Sequence, residues 1–192
     1  PIGGVPEFFI TGLSGGFGYN RAINLPRADQ VYNFPLVAGI SDSSKLGGVN
    51  GNPPTNTQAL QALGTTIAPP QLGSYRLPAG IKFTTYEILK SQAMLVVQFG
   101  SDFMIGLLGV SGLQLPDEKN PYVGAQMAFT VTYRASTGLL ALEAVLTPNS
   151  YVLSPDCRLT GGMAFYIWSK NLPDGASAGE FVLTLGGYNT RF

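Results

Sequence analysis

The chain has 192 residues, enough to bury a core as one domain of ordinary size without disulfides or metals. Eleven Lys and Arg balance eleven Asp and Glu, and the 11% charged content is under half of the roughly 25% usual in soluble domains, so the basic stripe a nucleic-acid binder needs is missing. Without a histidine, the chain lacks the commonest general base and metal ligand, and its single cysteine, Cys157, can form no internal disulfide and reads as an inert, buried thiol.

Residues 8–21, FFITGLSGGFGYNR, are the first informative stretch. Gly16-Phe17-Gly18 lacks the third glycine of a dinucleotide fingerprint, and no Gly-Lys-Ser/Thr follows, so the glycines read as bends in a strand rather than a phosphate cradle. Tyr19, Asn20 and Arg21 are the candidate ligand or contact residues, because a phenol, an amide and a guanidinium in a row can present polar contacts at a sheet edge. The competing use for them is an edge that hydrogen-bonds the loop packed on it.

Prolines at 53, 54, 69, 70 and 78 mark residues 41–80 as a long irregular connection, broken by a short helix at TQALQALG with Asn56 or Thr57 as cap and Gly64 as stop. From residue 91 to residue 185 the period is two. AMLVVQF and FMIGLLGV, split by Gly100, Ser101 and Asp102, form one hairpin whose second run ends at Pro116, and PDEKNP at 116–121 is a solvated hairpin tip. In YVGAQMAFTVTYRAS, Val123, Ala125, Met127, Phe129, Val131 and Tyr133 share the face expected to be buried, opposite Gln126, Thr130, Thr132 and Arg134. GLLALEAVLT pairs with it across Ser136-Thr137-Gly138, and MAFYIW and FVLTL add further strands.

The fold class expected is therefore all-β, mainly an antiparallel meander of at least five strands, sandwich-like or a curved sheet, with one or two short helices in the N-terminal third. Residues 1–192 form one domain or a segment of a larger protein. Several strands are apolar on both sides, so a second layer of sheet, helix or neighbouring protein is required. The longest apolar run, 103–110, is far below the roughly 18 residues of a spanning helix, so no transmembrane helix is expected.

The blocks GGFGYNR, FPLV, IKFTTYEIL, LLGVSGLQLP, LTPNSYVLSPDCRLTGGMAFYIW and GEFVLTLGGYNTRF follow one another over residues 8–192. They resemble a conserved region of large bacterial and fungal proteins catalogued only as a domain of unknown function. The last block of that family usually reads GGYHP, and Asn189 and Thr190 stand here in place of its His and Pro. The resemblance implies one β-rich piece of a longer protein and transfers no catalytic residue.

With no base and no activated nucleophile in view, no catalytic, cofactor or metal residues are assigned. The leading expectation is a non-enzymatic structural or interaction module that associates with flanking segments of the same polypeptide or with identical copies. The alternative is a β-groove for a lipid or other apolar ligand, and a membrane β-barrel segment ranks below both.

Overall fold

The computed structural model describes residues 2–41, 67–117, 119–173 and 175–186, together with residues 55, 57, 58, 61 and 64. Among them lie twelve strands: β1 (Gly3–Val5), β2 (Phe8–Gly15), β3 (Gly18–Arg21), β4 (Pro70–Thr85), β5 (Leu89–Phe99), β6 (Met104–Leu115), β7 (Val123–Arg134), β8 (Leu139–Leu146), β9 (Tyr151–Val152), β10 (Ser154–Arg158), β11 (Gly162–Trp168) and β12 (Phe181–Leu185). They form one antiparallel sheet whose main path is β1-β2-β4-β5-β6-β7-β8-β11-β12, with β3 continuing beside β4 and β9–β10 attached to β7. The all-β meander expected from the period-two pattern is the observed fold.

The opening glycine stretch is a strand in two pieces. β2 and β3 both pair with β4, through Gly15↔Ala79 and Gly18↔Arg76, and the chain breaks pairing between them at Gly16 and Phe17. The irregular connection expected over 41–80 is corrected from Pro70 onward, because β4 begins there and runs 16 residues. The prolines misled for a physical reason. Pro70 opens the strand, where no ladder donor is needed. Pro78 sits opposite the β2–β3 break, where its carbonyl accepts the Gly16 N–H at 2.9 Å and its missing N–H interrupts nothing.

A 3-10 helix (Ala28–Asn33) and α1 (Pro35–Ser41) precede β4. Thr57, Gln58, Gln61 and Gly64 of the expected short helix are helical, the rest of it lying outside the described residues. Of the expected caps, Asn56 lies outside the described residues and Thr57 is itself helical; Thr55 makes a reciprocal capping box, with the Gln58 N–H donating to Thr55 Oγ1 at 3.3 Å and Gln58 Oε1 accepting the Thr55 N–H at 2.9 Å. Gly64 has φ 46°, the left-handed conformation in which a glycine ends a helix, and Ile67 beyond it is again helical.

Among the described residues, the helices cover one face of the sheet. Ala28, Val31, Phe34 and Val37 from the helical segment pack with Met94, Val96, Leu108, Val110, Ala128 and Val145, all from the same face of β5–β8. Small residues beneath the cover set its approach. A side chain at Gly106 would overlap Leu25 Cδ1, and one at Gly80 would overlap Ile40 and Ser14.

This reverses the expected orientation of β7. Ala128 and Thr130 lie in the covered layer at 0% and 5% exposure, whereas Met127, on the side expected to be buried, is 43% exposed. The helical segment brings its own apolar residues and fills in over the small and polar side.

Candidate functional site

The uncovered face is the unusual feature of the molecule. Strand registers trace complete rows across seven strands. One runs Ala79, Leu95, Leu107, Val131, Leu142, Phe165 and Leu183, flanked on one side by Leu77, Val97, Ile105, Tyr133, Leu140, Ile167 and Phe181. On its other side lie Ile81, Ala93, Gly109, Phe129, Ala144, Met163 and Leu185. The charged residues of the described strands β4–β8, namely Arg76, Lys82, Lys90, Arg134 and Glu143, all project from the opposite, helix-bearing face. Ser91 and Ser111, which interrupt the next row, bond each other at 2.6 Å and so present little unmet polarity.

Leu77, Leu95, Met127, Leu183 and Leu185 on this face are all more than 40% exposed. Seven strands at ~4.8 Å spacing and three complete rows ~6.7 Å apart give on the order of 700 Å² of continuous apolar surface. That exceeds the roughly 300–600 Å² of the largest patch on a typical monomer.

Tyr19, Asn20 and Arg21 lie in β3 at the sheet edge. The Tyr19 ring is 5.0 Å from the Tyr75 ring, Asn20 Oδ1 accepts the Gly73 N–H at 2.9 Å, and Arg21 Nη1 donates to the Ala68 carbonyl at 2.8 Å. Asn20 has φ 54°, a left-handed conformation that asparagine tolerates. Each of the three side chains thus holds β4 or the segment entering it. Gly18 is fixed by the same packing, because a Cβ there would overlap Arg76 Nε, Cγ and Cδ, while one at Gly16 would stand 3.4 Å from Pro78 Cγ. Gly18→Val is expected to lower stability by about 1–3 kcal/mol and Gly16→Val by less, a difference that denaturant titration resolves.

The carboxylates have structural partners. Glu143 Oε1 accepts the Tyr166 hydroxyl at 2.6 Å, and Oε2 faces the Ala28 N–H at 3.5 Å, at the start of the 3-10 helix. Asp102 accepts from Arg134 Nη1 at 3.1 Å and Ser136 Oγ at 3.0 Å. Desolvation raises the Asp102 pKa, but these hydrogen bonds and the Arg134 charge outweigh it and hold the carboxyl below its ordinary value. Cys157 is exposed in β10, a correction to the buried thiol expected. No group of three potential metal ligands occurs among the described residues, and no helix there is long and apolar enough to cross a membrane.

The fold and site define a class: an antiparallel meander sheet that, among the described residues, is helix-covered on one face and charge-free and open on the other. The chain belongs to the Family of unknown function (DUF6603), whose model matches residues 1–192, in agreement with the resemblance seen in its sequence blocks. No curated protein and no solved structure matches it.

Proposed function

We propose that this domain is a non-enzymatic docking module whose open sheet face binds a second apolar sheet face, supplied by another copy of the chain. The observation that carries this reading is the segregation of charge: every charged side chain of the described β4–β8 lies on the helix-covered side. On a face meant for water, some of those charges would be expected outward. Two such faces stacked about 10 Å apart make a sandwich core, and on the order of 700 Å² per partner lies within the range of a standard stable interface.

The relief of the face favours protein over acyl chains as its occupant. In the row Ile81, Ala93, Gly109, Phe129, Ala144 and Met163, large and small residues mix, and the Phe129 ring lies over Gly109, where a Cβ would be 2.8 Å from its Cζ. Ridges and hollows of this kind interlock with side chains of fixed shape.

Sedimentation equilibrium of the isolated chain tests the proposal. The expected mass exceeds 20.3 kDa at micromolar concentration and falls toward it on dilution. A strict monomer throughout would refute it.

A further inference from the structure

The glycine stretch also walls a second feature, on the helix-bearing face. Between residues 14–17, α1 and strands β4–β5 lies a cavity of ≈ 270 Å³, with Ile23, Leu36, Ile40 and Met94 as its apolar wall, Phe17 at its rim and Arg76 beside them. Among the described residues, no acidic side chain lines it.

Arg76 is half-buried and lies across Gly18, with Nη1 donating to the Ala22 carbonyl at 3.1 Å. Arg21 is its neighbour in charge. Burial, and then repulsion from Arg21, lowers the Arg76 pKa, so the local field disfavours the bare cation. Among the described residues neither arginine meets a carboxylate. Among the described residues, Arg76 thus brings to a mostly apolar cavity a guanidinium that has a backbone carbonyl but no carboxylate as partner.

We infer that this cavity binds an amphiphilic monocarboxylate, its acyl chain among Ile23, Leu36, Ile40 and Met94 and its carboxylate on the Arg76 guanidinium. A mostly apolar pocket with one convergent polar group is the ordinary form of a small-molecule site. A guanidinium offers a carboxylate charge-assisted, two-pronged hydrogen bonds, and the added negative charge offsets the repulsion between the arginines. The site is separate from the open sheet face, and its occupancy does not depend on whether that face docks a partner.

Calorimetric titration of the intact chain with sodium octanoate is the test, with octanol as the uncharged chain and acetate as the chainless charge. Octanoate is expected to bind saturably, and both comparators at least roughly tenfold more weakly. Arg76→Met should weaken octanoate by a similar factor, and Leu36→Trp, which fills the cavity and leaves Arg76 in place, should do the same if Arg76→Met fails to fold. Methyl resonances of Ile40 and Met94 should move on titration. Equal affinity for octanol, unchanged affinity in Leu36→Trp, or shifts confined to Leu95 and Leu107 on the open face would each overturn the assignment.

Discussion

Ala128→Asp is expected to leave the chain unfolded, while Phe129→Asp, one residue further along the same strand, is expected to leave it folded and shift it toward the monomer. Ala128 is fully buried in the core that contains Val31, Leu108 and Val145. A carboxylate there must be desolvated without a partner, at a cost of several kcal/mol. That is comparable with the entire stability of about 5–15 kcal/mol that holds a domain folded. Phe129 points to the open face, where the new charge reaches water. Its variant loses the contact over Gly109, about 1–2 kcal/mol on the scale of ordinary single substitutions. Circular dichroism melts of the two proteins check the contrast, and equal melting temperatures would mean that the faces of β7 are misassigned.

The second large effect is on association. Leu95 and Leu107 are register partners in the middle row of the open face, both exposed, on neighbouring strands β5 and β6. Leu95→Lys with Leu107→Lys places two ammonium groups at the centre of the docking surface. In a dimer built face to face they bring like charges together and desolvate them, so association is expected to weaken by at least a hundredfold, roughly 3 kcal/mol or more. The melting temperature of the diluted protein should change little, since neither side chain belongs to the helix-covered core. Sedimentation of the double variant beside the parent chain reads both consequences together.

Much of this architecture is legible in the sequence, and the failures have identifiable causes. Alternation in β5–β8 is strong because each strand segregates residue types by face, and the Gly-rich 8–21 stretch reads as a bent strand for want of phosphate-binding spacing. Pro70 and Pro78 conceal β4, because a proline tolerated opposite a break in the neighbouring strand looks no different in one dimension from a proline in a loop. The side of β7 that the chain itself covers is not legible in its sequence, for a related reason. Local pattern ranks the Phe129 side as the more apolar, but Leu25 and α1 approach closely where Gly106 and Gly80 permit it, and the 3-10 helix between them is carried onto the same face.

The candidate sites show the same division. Tyr19, Asn20 and Arg21 are visible as a polar run, and their structural use depends on β4 residues far along the chain, Gly73 and Tyr75 among them. The charge-free face emerges only when five charged residues from four strands are placed in register. The Arg76 cavity is hidden further, since Arg76 falls in the stretch read as loop.

The central claim is that the open face, and no other surface, is where copies of the chain meet. Its most direct measurement is thiol alkylation of Leu107→Cys in a Cys157→Ser background, followed by mass spectrometry across a dilution series spanning association. Under the account, the thiol at position 107 is protected at high concentration and reacts freely once the protein is dilute, in step with the fall in sedimenting mass. Contradiction would come from a thiol that reacts equally fast in associated and dissociated protein, since the copies would then meet elsewhere and leave this face in water.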